Sequence, residues 1–190
     1  MKAAFLDRDG VINVKAPVPE YITRWEDVRY LKDVFTSVAT LAQAGFRIIV
    51  VTNQRGIALG KVGVAALDDI HRRMRDDFGH GGVYITDFYV CPHDLGDGCS
   101  CRKPKPGMLI RAAQDHAVDL KSSWMIGDAE SDVQAGKLAG CKTVRILSCS
   151  SVQRERTNAD IVAADLASAV NRILQFSRAN TSHVPAVSVE

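Results

Sequence analysis

Phe46-Arg47-Ile48-Ile49-Val50-Val51, running straight into Thr52-Asn53-Gln54, is the stretch whose reading decides the fold. It is apolar, rich in β-branched residues and of strand length, so it predicts a buried strand whose end delivers polar groups. The same pattern recurs on both sides. Ala3-Ala4-Phe5-Leu6 leads into Asp7-Arg8-Asp9-Gly10, and Trp124-Met125-Ile126 leads into Gly127-Asp128. Further strands are predicted over 83–91 and 142–147, with a sixth at Ile161-Val162. Helix-period segments lie between them. Asp33 is placed to cap a helix through Val34, Val38 and Leu41 that Gly45 stops. Val64, Leu67, Ile70, Met74 and Phe78 mark a second helix ending near Gly79, and others are predicted over 107–116 and 131–139. Asp165 caps a closing helix through Leu166, Ala169, Val170 and Ile173. Such alternation implies βαβ units: an α/β protein of three layers, Rossmann-like, with a parallel sheet and helices on both faces. Residues 1–176 are expected to form one domain, and 177–190, which lose the periodicity, a flexible tail.

Composition agrees with a globular chain. Of 190 residues, 46 % are hydrophobic and 24 % charged, with formal net charge +2. That excludes global disorder and gives no electrostatic footprint for nucleic acid. Apolar stretches are far shorter than the roughly 20 residues of a membrane span, and Asp7 interrupts the N-terminus before a signal core forms. A cytoplasmic protein without nucleic-acid or membrane partners, acting as a monomer, is expected.

Ligands of open parallel sheets bind beyond the carboxyl ends of the strands, where three of these runs deliver Asp7 and Asp9, Thr52, and Asp128. On a strand end, residues i and i+2 point the same way, so Asp7 and Asp9 can face one site. Carboxylates that close need a cation, and with Asp128 they offer Mg²⁺ the few hard oxygens it prefers. One acid of the pair can then attack phosphorus while the other handles the proton. Thr52 adds a hydroxyl and Lys103 an ammonium for phosphoryl oxygens. Asn53 and Gln54 suit either substrate contact or capping of the next turn.

A second constellation lies in one loop: Cys91-Pro92-His93, then Cys99-Ser100-Cys101. Three thiolates and an imidazole fill a Cys₃His tetrahedron for Zn²⁺ and leave no position for water, which makes the metal structural. The opposing reading is a surface His93 with incidental or redox-active thiols. Asp94 and Asp97 read as solvated loop charges, Cys141 and Cys149 as buried fillers, and His71, His80, His116 and His183 as ordinary surface or helix residues.

Asp7-Arg8-Asp9-Gly10-Val11-Ile12-Asn13, Thr52-Asn53-Gln54, Lys103, and Gly127-Asp128 with Asp132 resemble, in order, the four motifs of the haloacid dehalogenase (HAD) superfamily of phosphatases. The resemblance spans residues 3 to about 147. It implies that Asp7 is the nucleophile and becomes an aspartyl-phosphate, and that Asp9 is the general acid/base. It further implies Mg²⁺ held by Asp7, the backbone carbonyl of Asp9, and Asp128, with Thr52 and Lys103 on the phosphate and Asp132 supporting from behind.

The zinc loop placed before Arg102-Lys103-Pro104 narrows the resemblance to the histidinol-phosphatase-like branch, and the motifs look more like its heptose-bisphosphate members, which serve bacterial surface-sugar synthesis. The implied substrate is a small sugar phosphate; histidinol phosphate or another small phosphomonoester remains the alternative. Departures fall at the mouth: the short gap from His93 to Cys99, Arg55 where a small residue is usual, Leu59 where a basic one is common, and Ala129 where a basic residue often follows the metal-binding Asp. Arg55, Arg102 and Lys105 suggest a second anionic group on the substrate, although Arg55 also suits a solvated helix start. No large cap fits the intervals between motifs, which speaks against phosphotransferases that use a cap to exclude water. A binding module without turnover is disfavoured because every required acid is present.

Overall fold

In a computed structural model, which describes residues 1–147 and 156–181, the chain folds as one six-stranded parallel sheet with helices on both faces. The strands are β1 (Ala3–Leu6), β2 (Arg47–Asn53), β3 (Ile85–Cys91), β4 (Trp124–Gly127), β5 (Lys142–Ile146) and β6 (Ile161–Ala163). They lie in the order β3-β2-β1-β4-β5-β6, and every pairing is parallel. In this order the connections diverge on either side of β1, which opens a crevice between β1 and β4 at their carboxyl ends.

Strand alternation builds two cores. Ala4, Leu6, Ile48, Val50, Trp124 and Ile126 face one side, packed with residues of α1 (Val34–Gln43), α2 (Val64–His80) and α5 (Leu166–Thr181). Ala3, Phe5, Ile49, Val51 and Met125 face the other, against α3 (Gly107–His116) and α4 (Glu130–Ala139). The central strands β1, β2 and β4 are buried on both faces, which is why their sequences read as apolar runs. The register aligns Leu6 with Val50 and with Ile126, so the polar residues that follow emerge side by side.

Some expectations change. Asp33 lies in left-handed backbone with φ 57° and makes no side-chain cap to α1, so that helix starts without the Asp33 cap. Asp165 does cap α5: its Oδ1 accepts from Ser168 N at 2.7 Å. α5 continues through Ser177 to Thr181, past the expected start of the tail, because its stripe extends to Phe176, whose ring packs edge-on against Trp124. Residues 182–190, with His183, and Cys149 lie outside the described residues. Cys141 is buried as expected. His71 is not a surface residue: at helical spacing from Leu67 and Met74, it falls on the apolar stripe of α2 and is buried. Among the described residues, no helix is long and apolar enough to cross a membrane.

Candidate active site

Asp7 follows β1 directly, with its backbone N–H donating to Ile126 O of β4 at 3.0 Å. Its carboxylate lies with those of Asp128 and Asp132, one oxygen from each within 4.8 Å of the others. Glycines make room. A Cβ on Gly10, whose φ is +95°, would stand 2.2 Å from Asp128 Oδ2, and one on Gly127 would stand 2.2 Å from the Asp132 side chain. Lys103, only 3 % exposed, reaches in with its Nζ 2.9 Å from Asp7 and 2.6 Å from Asp132, and donates to Val51 O at 2.8 Å. Burial opposes its charge, but Asp132 and Asp7 overcome that and hold its pKa above the ordinary lysine range. Burial also pushes Asp7 up to about 7 against the pull of Lys103, and raises Asp128 against the pull of Lys15. This cluster has more carboxylate than its fixed cations balance, and its donors are hard oxygens, so it fits a divalent ion. Asp132 is placed behind: Lys103 takes one oxygen, and Ala129 N donates to the other at 3.0 Å.

Asp9 does not join that cluster. Its carboxylate accepts from Arg8 Nε and Nη2, from Asn13 Nδ2 at 2.9 Å and from Gln54 Nε2 at 3.0 Å. Burial works against its charge, yet Arg8 and these hydrogen bonds prevail and lower its pKa. Arg8 is itself 1 % exposed, and its Nη1 meets Nε2 of His71 at 3.4 Å. His71 stacks on Phe88 with ring centroids 4.5 Å apart, and burial, with Arg8 adding to it, drives its pKa down to about 3. A neutral imidazole is the acceptor Arg8 needs. The roles of Arg8, Asn13 and His71 were not read from sequence, although an arginine between two aspartates at a buried strand end has to find an acid partner.

Thr52, buried at the end of β2, accepts from Gln54 Nε2 at 2.9 Å. Asn53 forms a reciprocal pair with the Lys103 backbone, donating to its O and accepting from its N, both at 3.1 Å. Both amides therefore hold protein groups in place. Arg55 pairs with Asp94, so Asp94 is not a merely solvated charge; it also has Asp97 Oδ2 on its backbone N–H. Arg102 Nη1 donates to His93 O at 3.3 Å, and Lys105 Nζ to the carbonyls of Gly98 and Cys99. Arg102, Lys105 and Asp94 border a cavity of about 210 Å³ that reaches Lys103.

Cys91, His93, Cys99 and Cys101 converge, with all ligand atoms within 4.8 Å of one another. Cys91 Sγ is 3.7 Å from Cys99 Sγ and 3.6 Å from His93 Nδ1, and His93 Nδ1 is 3.2 Å from Cys101 Sγ. A tetrahedron with metal–sulfur arms of about 2.3 Å has edges near 3.8 Å, so the four atoms match the size of a zinc site. The thiols are free, and burial with the neighbouring Cys91 and Cys99 pushes Cys101 up to about 12, a shift that a cation binding its thiolate would reverse.

The 35 % identity to D-glycero-beta-D-manno-heptose-1,7-bisphosphate 7-phosphatase of Pseudomonas aeruginosa runs over 173 residues, 90 % of this chain and 96 % of that one. The chain belongs to the HAD-type phosphatases. The HAD-hydrolase-like family model matches residues 100–169. The D-glycero-alpha-D-manno-heptose-1,7-bisphosphate 7-phosphatase of Photorhabdus laumondii is also 35 % identical, across 87 % of this chain and 93 % of its own. The crystal structure of D,D-heptose 1,7-bisphosphate phosphatase from B. bronchiseptica, complexed with magnesium and phosphate, superposes with a TM-score of 0.82 at 32 % identity, covering 93 % of this chain and 99 % of that one. As an HAD-type phosphatase, the chain is a phosphoric monoester hydrolase of a family that uses Mg²⁺.

Proposed function

We propose that this chain hydrolyses the 7-phosphate of a D-glycero-D-manno-heptose 1,7-bisphosphate through an aspartyl-phosphate on Asp7. The observation that carries the chemistry is the separation of the two aspartates. Asp7 faces Lys103 and the other carboxylates, while Asp9, two residues on, is held apart by Arg8, Asn13 and Gln54. Two acids in different environments suit two roles.

Asp7 and Asp128, with the backbone of Asp9, would hold Mg²⁺, which supplies Lewis-acid stabilisation of the phosphoryl oxygens when bound. Lys103 and Thr52 orient those oxygens. An oxygen of Asp7 attacks phosphorus, the bond to the sugar oxygen breaks, and Asp9 delivers a proton to that oxygen. The arriving phosphate raises the proton affinity of Asp9, which offsets the lowering by Arg8. Asp9 then accepts a proton from water as the water attacks phosphorus; the bond to Asp7 breaks and inorganic phosphate leaves.

Substrate choice is read from the rim and from the relatives. Arg102 and Lys105 beside the 210 Å³ cavity favour a second phosphate over the cationic amine of histidinol phosphate. Relatives named for both the alpha and the beta anomer resemble the chain equally at 35 % identity, so both anomers belong in the test. Zinc on Cys91, His93, Cys99 and Cys101 would stiffen the segment presenting Arg102 and Lys103. Three reduced thiols as ligands suit the cytoplasm. The experiment is a side-by-side kcat/KM for the two heptose 1,7-bisphosphate anomers and histidinol phosphate. One heptose anomer should exceed histidinol phosphate by more than about 100-fold, beyond what an apolar pocket alone discriminates and towards the roughly 10⁴-fold of paired polar contacts; equal values would remove the sugar assignment.

A further inference from the structure

Two ammonium groups approach the carboxylate cluster, and they differ in kind. Lys103 is sealed between Asp7, Asp132 and Val51 O. Lys15 comes from the other side, with its Nζ 2.7 Å from Oδ1 and 2.5 Å from Oδ2 of Asp128, and its side chain is 46 % exposed. Its stem passes over Gly10, where Cε lies 2.8 Å from the position of an added Cβ. The root of this side chain is fixed: Val14 N donates to Arg29 O at 2.8 Å, and the Asn13 amide ties Asp9 to Val14 O. The tip borders a cavity of about 410 Å³ shared with Gly10, Lys32 and Asp128, so the ammonium has space to move while its backbone stays put.

Both oxygens that Lys15 engages belong to the carboxylate a divalent ion would need, and two cations on one carboxylate repel. We propose that Lys15 is a displaceable counter-ion that neutralises Asp128 until a divalent cation takes its place, and that the freed ammonium then binds the oxygens of the phosphate group. Lys15 is thus a substrate-binding residue that metal loading brings into use. Because breaking the Lys15–Asp128 pair opposes metal binding, and phosphate gives the ammonium a new partner, the two ligands assist one another reciprocally. This inference rests on the reading of Asp7 and Asp128 as metal ligands.

The test is calorimetric and needs no turnover. Mn²⁺ is titrated into protein stripped of Mg²⁺ but retaining zinc, as wild type, Lys15→Met, Lys15→Arg and Asp128→Asn; inorganic phosphate is then titrated into the Mg²⁺-loaded forms. Lys15→Met should bind Mn²⁺ about two- to fivefold more tightly and phosphate about two- to fivefold more weakly, the range of one partly exposed ion pair. Lys15→Arg, which keeps the charge, should stay near wild type in both. Unchanged or weakened Mn²⁺ binding by Lys15→Met overturns the counter-ion role, and unchanged phosphate binding overturns the substrate role. Asp128→Asn separates the premise: if it binds Mn²⁺ like wild type, the metal-site reading itself fails, whatever Lys15 does.

Discussion

The two ligand clusters of this protein are built in opposite ways. The Cys₃His cluster comes from the end of β3 and the loop that follows it, spans 91–101, and uses all four of its positions on protein atoms. The carboxylate cluster is gathered from the ends of β1 and β4 and the first turn of α4, and it borders open space beside Asp128. A closed cluster fixes the chain; an open one leaves room for a reacting group. Damage to the first should therefore appear in stability, and damage to the second in rate.

The sharpest way to break that contrast is Asp7→Asn, which keeps the shape and removes the nucleophilic charge. Turnover should fall by about 10⁴-fold or more while the far-UV spectrum and Tm are maintained; substantial residual kcat would contradict the assignment of Asp7. Next comes Arg8→Met, which leaves the Asp9 carboxylate buried without its cation. It should cost about 3–5 kcal/mol in denaturant unfolding and lower kcat as well, mixing the two signatures because Arg8 is at once core and site. Cys101→Ser should remove one zinc per chain, measured by atomic emission, and a loss of about 3 kcal/mol would lower Tm by about 6–12 °C. Unchanged zinc content would mean that Cys101 is not a ligand.

The smallest effect lies outside both clusters. Asp160 accepts from Thr143 N and Oγ1 and pairs with Lys137; burial opposes its charge, but these partners lower its pKa. A carboxyl depressed in the folded state stabilises above its unfolded value near 3.8 and loses that contribution as pH falls through the folded value. The stability difference between wild type and Asp160→Asn should be under about 1 kcal/mol at pH 7 and shrink below about pH 4. A difference that grew with acid would mean that folding raises the Asp160 pKa instead of lowering it.

Much of this was legible because the physics was local. Strands buried on both faces declare themselves as apolar runs, so Ala3–Leu6 was read to the residue, and the helix expected over 107–116 is α3, Gly107–His116. The acids at strand ends followed from topology, and the thiols from their crowding. What escaped depends on partners distant in sequence. His71 finds Arg8 across 63 positions and Lys15 finds Asp128 across 113, and neither pairing leaves a periodic trace. Asn53 and Gln54 were legible as polar residues at a strand end, but their direction is set by Lys103 and Asp9, which only the folded register brings near.

The clasp of the Asn53 amide on both backbone atoms of Lys103 has an evolutionary reach. It anchors the lysine independently of the exposed loop tip at 95–98, which lies beyond both the clasp and the cysteines on either side. Insertions or deletions at that tip would remodel the rim without disturbing the lysine. The scaffold thus separates the place where a new sugar could be accommodated from the place where the chemistry is done.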